Sequence, residues 1–362
     1  MFYSILSYLE NSAVTFGEKT AIADGEGELT YSEYLSFSKK AGSYISEYIC
    51  HNSPVAVMMN KSRFTLCAFA GAVYAGGFYV YFNPELPDYR LLQMQDVLHS
   101  SIIICDEENL KRAKELFKDK GKVISVSECL SGNINEEKLD EIRKTSIDTD
   151  PLYANFTSGS SGVPKAVLVS HRSVLDFTDV FCRTFRFSEN DVIGNQAPFD
   201  FDVSVKDIYP AMKTGAKLVL IPREKFSKPT ELIDFLCEYE IDTLTWAVSA
   251  VCLISTFHGL DYKTPQKIKK VLFSGEVMPL KHINTWINHL PDAMFVNLYG
   301  PTEITCNCTY HIIDKNRDYS AGIPIGRSFE NEKVFLLDEG GEVITEIDKT
   351  GEICVCGSCL PL

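Results

Sequence analysis

"PVAVMMNKSRFTLCAFAGAVYAGGFYVYF", residues 54–82, contains a strand, a helix and a second strand in immediate succession. Residues 54–59 and 78–82 are apolar runs of strand length, whereas residues 61–75 have the length and composition of a buried helix. Parallel strands need a crossover connection, which is usually a helix. The stretch therefore predicts a parallel pair with its crossover helix, rather than a membrane span, because Gly76-Gly77 interrupts the apolar run.

The same alternation continues on both sides of a polar segment at 131–150, which the sequence predicts to be a linker. Further predicted strands cover 101–105, 122–126, 192–197, 217–222, 243–248, 269–274 and 294–299. Predicted helices cover 87–98, 107–118, 203–213, 228–239 and 279–289. Such alternation is typical of α/β folds with mainly parallel sheets covered by helices.

A change of pattern near residue 321 predicts a third part of the chain. Residues 334–344 resemble a hairpin around Gly340-Gly341, and residues 351–357 form another short strand pattern. We therefore expect a first α/β subdomain over 1–150, a second over 151–320, and the start of a small antiparallel β-barrel subdomain over 321–362.

Composition excludes several classes of function. The formal charge of −14 argues against a nucleic-acid partner, since phosphate backbones attract basic surfaces. The 12 cysteines follow no even framework and indicate reduced thiols, which predicts a cytoplasmic protein without a membrane segment. Cys354 and Cys356 lack a second His/Cys group nearby, so we interpret them as packing residues rather than zinc ligands.

Polar turns follow several predicted strands of the second half. Residues 198–202, Gly275-Glu276 and residues 300–303 each come directly after a strand, and a Ser/Gly-rich loop follows residues 152–156. Ligands of open α/β sheets bind beyond the carboxyl ends of the strands. The sequence therefore predicts a nucleotide-sized site at this edge.

Five motifs in order carry a resemblance to a known family. They are Leu29-Thr30-Tyr31-Ser32-Glu33-Tyr34, the loop 157–165, Phe201-Asp202-Val203-Ser204, the segment 297–303, and Pro324-Ile325-Gly326-Arg327 with Gly351-Glu352-Ile353-Cys354-Val355. Together they resemble the adenylate-forming superfamily, and most closely its amino-acid-activating members: nonribosomal peptide synthetase adenylation domains and D-alanine–carrier-protein ligases. The resemblance implies ATP-dependent activation of an amino acid as an aminoacyl adenylate. Transfer to a phosphopantetheine thiol on a carrier protein or domain would follow.

The resemblance also implies roles for the nucleotide-binding residues. The phosphate loop would comprise Thr157, Ser158, Gly159, Ser160, Ser161, Gly162 and Lys165. Tyr299 would stack on adenine and Asn297 would hydrogen-bond its edge; the alternative for both is core packing at a strand end. Gly275, with Glu276 beside it, and Gly300 would also contact the nucleotide. Thr302 would contact the α-phosphate, and Glu303 would hold Mg²⁺, a cation that requires oxygen ligands. Lys165, Thr302 and Glu303 are the predicted catalytic residues. Their alternatives are a surface turn for the loop and helix capping for Thr302 and Glu303.

The predicted amino-acid pocket comprises Asp202, Val203, Lys206, Leu272, Ser274, Leu298, Cys306 and Asn307. Asp202 would pair with the substrate's α-ammonium group; alternatively it caps a helix over 203–213. Lys206 would line the side-chain pocket and indicate an acidic or otherwise polar substrate side chain. The alternative for Lys206 is an ordinary i,i+4 pair with Asp202.

In the family, a ribose-binding Asp motif, a hinge and a small C-terminal domain with a catalytic lysine follow the last motif. None of them precedes Leu362, so we expect the chain to be the large N-terminal portion of a longer protein, with impaired adenylation by itself. Further synthetase domains are also expected partners. The alternatives are a stand-alone D-alanine–carrier-protein ligase, an enzyme similar to acyl-CoA synthetases, and a non-catalytic adenylate-binding module.

Overall fold

A computed structural model describes residues 4–157 and 164–362, in which two large sheets and a small one are stacked with helices. The six-stranded sheet has the order β6-β5-β3-β4-β7-β8 and is parallel except for the β7–β8 pair. Its strands are β3 Pro54–Met58, β4 Phe78–Tyr81, β5 Ile102–Cys105, β6 Lys122–Ser125, β7 Pro151–Thr157 and β8 Lys165–Ser170. The opening stretch of the sequence thus forms the central parallel pair of this sheet.

The nine-stranded sheet has the order β15-β14-β13-β12-β11-β9-β10-β1-β2, with a parallel centre and antiparallel edges. Its strands are β1 Thr20–Ala23, β2 Glu28–Thr30, β9 Val192–Asn195, β10 Lys217–Leu220, β11 Thr243–Ala247, β12 Lys270–Ser274, β13 Met294–Tyr299, β14 Thr309–Ile312 and β15 Arg327–Ser328. The predicted α/β fold class with mainly parallel sheets is confirmed.

The third sheet pairs β16 Glu332–Leu337 with β17 Glu352–Gly357 in antiparallel fashion. A turn closes between Asp338 and Glu342, as the Gly340-Gly341 pattern predicts. The residues after that turn, however, make one isolated bridge between Leu337 and Val343, and the main partner of β16 comes later in the chain.

The large sheets do not separate at residue 150. Residues 20–30 add two strands to the nine-stranded sheet, and residues 151–170 add two strands to the six-stranded sheet. The division into three subdomains stays a prediction.

Helices form an inner layer between the two large sheets and an outer layer on each. The bounds are α1 Leu6–Phe16, α2 Tyr31–Ile45, α3 Arg63–Tyr74, α4 Asp88–Leu98, α5 Glu107–Leu116, α6 Val126–Ser131, α7 Glu136–Thr145, α8 His171–Phe185, α9 Val205–Thr214, α10 Pro229–Glu238, α11 Val248–Thr256, α12 Gly259–Tyr262 and α13 Leu280–His289. The inner core unites α1, α2, α3, α8 and α9 with one face of each sheet. Helices α10–α13 cover the other face of the nine-stranded sheet, and α4 and α5 cover that of the six-stranded sheet.

Local sequence explains the inner pair α2 and α3. Thr30 and Glu33 form a capping box at the start of α2, and Ser62 caps α3 through the backbone N–H of Thr65. The helices meet at two glycines: a Cβ on Gly42 would come within 2.4 Å of Tyr74 Cβ, and one on Gly71 within 2.5 Å of Ala41 Cβ. Only glycine permits this close approach.

The segment 131–150, which the sequence predicts to be a linker, contains the helix α7 at its centre. Asn135 caps this helix through the backbone N–H of Lys138, and acidic residues begin the helix while Arg143 and Lys144 end it. Its polar composition reflects a surface helix that buries little more than Leu139. Among the described residues, no helix is long and apolar enough to cross a membrane.

A buried histidine predicts a pH-dependent stability. The Nδ1 atom of His171 accepts the backbone N–H of Ile5 at 3.1 Å, and burial lowers the pKa of His171 from 6.5 to about 3. Since the unfolded chain binds a proton below pH 6.5 and the folded chain does not, stability falls as the pH drops through that window. Between pH 7 and pH 5, the wild type should lose about 2 kcal/mol more than His171→Gln, whose amide oxygen can accept the same N–H. Urea unfolding at both pH values measures this difference; equal losses would contradict it.

Candidate nucleotide and substrate site

Three strands of the nine-stranded sheet end beside one another at the predicted edge. β9 leads into the loop 198–202, β12 ends at Ser274, and β13 ends at Tyr299. These strands belong to the parallel part of the sheet, so their carboxyl ends lie on the same side. The side-chain amide oxygen of Asn155 on β7 accepts the backbone N–H of Asp202 at 3.1 Å, which joins the other sheet to this edge.

Asp202 lies at the centre of this region. Burial raises the pKa of its carboxyl group, while a hydrogen bond with the Thr302 side chain and the charge of Lys206 act in the opposite direction. The negative charge of Glu303 adds to the rise of that pKa. The loop after β9 and the turn after β13 therefore come together, and they carry the predicted substrate and ATP residues Asp202, Thr302 and Glu303.

The turn after β13 is tightly built. A Cβ on Gly300 would lie within 2.5 Å of Asn307 Cα and 2.8 Å of Cys308 N, so the returning chain leaves no room for a larger residue. Thr305 and Cys306 have φ values of 52° and 79°, a conformation that costs energy for residues other than glycine. The Thr305 hydroxyl donates to the carbonyl of Cys359 at 2.5 Å, which helps to hold this turn.

The predicted adenine-site residues lie at the same strand ends. Tyr299 exposes 36% of its surface, whereas Asn297 is buried and donates from Nδ2 to the carbonyl of Pro324 at 3.0 Å. Gly275 has a φ of +98° and faces open space, since nothing lies within 4 Å of a Cβ built on it. Glu276 beside it is exposed. An aromatic face and an unobstructed stretch of backbone thus lie at the carboxyl ends of the paired strands β12 and β13.

The ends of the predicted phosphate loop pair with each other. Thr157 closes β7 and Lys165 opens β8, and the Thr157 hydroxyl donates to the carbonyl of Lys165 at 3.4 Å. Lys165 is exposed. The loop residues Ser158, Gly159, Ser160, Ser161 and Gly162 lie outside the described residues.

Most of the predicted pocket residues are buried against the inner core. The nearly inaccessible members are Lys206, Leu272, Ser274, Leu298, Cys306 and Asn307, and Val203 is partly exposed. Leu272, Leu298 and Cys306 belong to the core around α8 and α9. Lys206 on α9 donates from Nζ to Ser274 Oγ at 2.8 Å, which ties the helix to the end of β12.

Two alternatives from the sequence do not match this geometry. Asp202 does not cap a helix over 203–213: it begins a 3₁₀ turn, Asp202–Ser204, and α9 starts after it without a side-chain cap. Lys206 makes no close ion pair with Asp202, because its side chain is fully buried and its hydrogen bond goes to Ser274, although the two charges interact.

Two further charged residues beneath this edge, Lys61 and Asp207, were missed from the sequence. The Lys61 ammonium donates to the carbonyl oxygens of Asn195, Gln196 and Ile221, at the carboxyl ends of β9 and β10. Burial lowers the pKa of Lys61 to about 7, although the charge of Asp207 opposes this. Burial likewise raises the pKa of Asp207 to about 7, and its carboxylate accepts hydrogen bonds from Asn195 and Thr245. No periodicity or motif marks Lys61, since its partners lie more than a hundred residues away in sequence.

The oxygen donors near Asp202 suit a magnesium ion bound together with a nucleotide. Glu303 offers an exposed carboxylate beside the partly exposed Thr302. Mg²⁺ in nucleotide sites is commonly held by one or two carboxylates and by substrate phosphates, with water in the remaining positions. One exposed carboxylate after the end of β13 therefore fits such an ion.

Comparison with known proteins identifies the family. The profile described as AMP-binding enzyme matches residues 9–360, which is nearly the whole chain. The chain belongs to the AMP-binding enzyme family. The family match includes each of the five motifs, from the segment that starts at Leu29 to the strand β17.

Similar proteins within the family fall into two groups. A D-alanine–D-alanyl carrier protein ligase of Bacillus velezensis is 29% identical over 91% of this chain and 65% of its own length. Bacitracin synthase 1 of Bacillus licheniformis is 28% identical over 97% of this chain, which corresponds to 6% of that protein. The chain thus spans about two thirds of the ligase and a small part of the synthase.

Solved structures confirm the fold. The nonribosomal peptide synthetase FmoA3 (S1046A), bound to α-methyl-L-serine-AMP, superposes with a TM-score of 0.88 over 99% of this chain and 40% of its own, at 20% identity. VinN superposes with a TM-score of 0.84 over all of this chain and 90% of its own, also at 20% identity.

Proposed function

We propose that this chain binds ATP and an amino acid at the carboxyl ends of β9, β12 and β13 and forms an aminoacyl adenylate. The observation that carries this proposal is the position of Asp202, a partly buried carboxylate that contacts Thr302 of the segment after Tyr299. A carboxylate in such a place stabilises a cation, and an α-ammonium group is the cation that an amino acid brings.

In the proposed reaction no covalent bond forms between the protein and the substrates. A carboxylate oxygen of the amino acid attacks the α-phosphorus of ATP, a new P–O bond forms, and the bond to the bridging oxygen breaks. Pyrophosphate leaves with that electron pair. Positioning and charge neutralisation therefore supply most of the rate enhancement.

Each predicted residue has a defined task in this reaction. Asp202 orients the amino acid by its ammonium group, Tyr299 stacks on adenine, and Thr302 donates to the α-phosphate. Glu303 would hold Mg²⁺, which would supply positive charge to neutralise the phosphates. Lys165 adds a positive charge at the end of the loop 158–162, which would hold the departing phosphates.

A carrier protein is the proposed acceptor of the activated amino acid. Its phosphopantetheine thiol would attack the adenylate carbonyl and release AMP. The names of the two groups of relatives support this step, since one acts on a D-alanyl carrier protein and the other is a peptide synthase. An acyl-CoA synthetase activity is less consistent with the site, because a fatty or aryl acid has no ammonium group for Asp202.

ATP–pyrophosphate exchange tests the proposed function. The chain is incubated with ATP, Mg²⁺, labelled pyrophosphate and either pooled amino acids or pooled fatty acids. Because the chain alone is expected to adenylate weakly, we expect slow exchange that depends on amino acids. It should fall further, roughly 10²–10³-fold, in Glu303→Gln, because transition-state charge loses its partner. Glu339→Gln, an exposed residue of the turn after β16, should leave the exchange unchanged. Stimulation by fatty acids alone would refute the proposal.

A further inference from the structure

Lys206 is a fully buried lysine next to Asp202. It lies in the first turn of α9 and is among the largest side chains that are completely inaccessible to solvent. Its Nζ donates to Ser274 Oγ at 2.8 Å. Burying an ammonium group costs several kcal/mol unless an anion compensates it. The position of a compensating anion is therefore informative.

No carboxylate directly satisfies this ammonium group. Across residues 4–157 and 164–362, no acidic oxygen lies within 4.0 Å of Lys206 Nζ. Asp207 is near enough to interact by charge, but its carboxylate is bonded to Asn195 and Thr245 and also faces the Lys61 charge. Asp202 is the remaining acidic neighbour, and it also interacts with Lys206 by charge without a close ion pair.

Substrate binding would reduce the negative charge that compensates Lys206. The α-ammonium group of an amino acid would occupy Asp202, so that one carboxylate would serve two cations. Lys206 would then keep only the charge of Asp207, which also faces Lys61, because the substrate's α-carboxylate is directed to the α-phosphorus. A negative charge on the substrate's side chain, in addition to its α-carboxylate, would compensate the charge of Lys206.

The hydrogen-bond donors also favour an acceptor on the substrate. Ser274 Oγ accepts from Lys206, so the serine hydrogen stays available to donate. The ammonium group has three hydrogens, of which Ser274 takes one. Two adjacent donors, one of them charged, match the two oxygens of a carboxylate. An apolar side chain would leave both donors unpaired, and a cationic side chain would be repelled by Lys206.

We propose that the pocket selects an amino acid whose side chain ends in a carboxylate, which Lys206 and Ser274 bind while Asp202 binds the α-ammonium group. This inference rests on the proposed function and specifies its substrate class. Lys206 and Ser274 are accordingly residues that determine specificity.

Isothermal titration with the whole chain, saturated with a nonhydrolysable ATP analogue and Mg²⁺, tests the selection. The probes are the L and D forms of aspartate and glutamate, their amides asparagine and glutamine, and alanine and leucine. We expect one acidic amino acid to bind at least about tenfold more tightly than its amide, because the amide NH₂ group faces donors. Lys206→Met should weaken its binding roughly 10- to 100-fold and abolish the preference over the amide.

Two further variants separate charge recognition from structural damage. Lys213→Met is the matched control, because Lys213 lies on the same helix about two turns away and pairs with Asp179 at the surface. It should bind every probe as the wild type does. Ser274→Ala removes one donor without the lysine charge, and it should reduce the preference if Lys206→Met does not fold.

The outcomes distinguish this inference from the proposed function. Tightest binding of leucine or alanine by the wild type would overturn the substrate class and leave amino-acid activation standing. Binding of the ATP analogue with no amino acid bound would overturn both. An acidic preference that survives both Lys206→Met and Ser274→Ala would exclude these residues as its source.

Discussion

Asp202→Asn is expected to weaken amino-acid binding at least about 100-fold while the protein stays folded and binds an ATP analogue. The substitution keeps the shape of the side chain and removes its charge. A substrate ammonium group would then enter the site without an anion, and losing one partner of such a charge pair costs roughly 2–5 kcal/mol.

Although Asp202→Asn should weaken binding, it should leave the stability of the free protein unchanged or raise it. Because burial raises the pKa of Asp202, the charged carboxylate is less favourable in the folded chain than in the unfolded one at neutral pH. A neutral isostere removes that cost, so Asp202→Asn should unfold at the same or a higher urea concentration than the wild type. Loss of binding together with undiminished stability is the signature of a residue kept for its substrate.

Asp200→Asn provides the matched control for this prediction. Asp200 lies two residues earlier in the same loop, and its carboxylate accepts from Asn83 Nδ2 at 3.1 Å. The same chemical change there should alter amino-acid binding less than tenfold. Both variants are titrated with the amino acid that gives the strongest response in the wild type. Equal losses in the two variants would indicate a disturbed loop and contradict the assignment of Asp202 to the ammonium group.

The sequence predicted the parts of this fold that depend on local patterns. Residues 54–82 form strand, helix and strand as expected, because apolar length and Gly76-Gly77 are sufficient to define them. The turns after β9, β12 and β13 converge as predicted, because parallel strands place their carboxyl ends on one side of a sheet. The family motifs then gave these turns their chemical interpretation.

Features that depend on distant contacts were not predictable in this way. β1 and β2 come from the first part of the chain but belong to the nine-stranded sheet, in which β1 pairs with β10. No local pattern in the sequence specifies β10 as the neighbour of β1. The buried state of Lys206 arises because α9 packs between the sheets and brings the lysine to Ser274, 68 residues later. A charged residue at helical spacing from Asp202 resembles a surface pair in sequence, and only the packing of α9 distinguishes the two situations.

A buried ion pair at the opposite end of β12 should dominate stability instead of binding. Lys270 begins this strand, and its Nζ lies 2.8 Å from both carboxylate oxygens of Asp191, with the side chains only 9% and 6% exposed. Lys270→Met leaves Asp191 as an unpaired buried charge. We expect the free energy of unfolding to fall by about 3–5 kcal/mol, measured from urea titrations at pH 7.

Lys263→Met supplies the comparison that isolates burial as the cause. Lys263 also lies 2.8 Å from a carboxylate, that of Asp234, but these side chains are 48% and 47% exposed. Water and salt screen such a pair, so its loss should lower the free energy of unfolding far less than the loss of Lys270 does. Combining Lys270→Met with Asp191→Asn should recover most of the lost stability, because no unpaired charge then stays buried. If the double variant is as unstable as Lys270→Met alone, the cost lies in lost packing around Phe187, over which the lysine also sits, and the charge explanation fails.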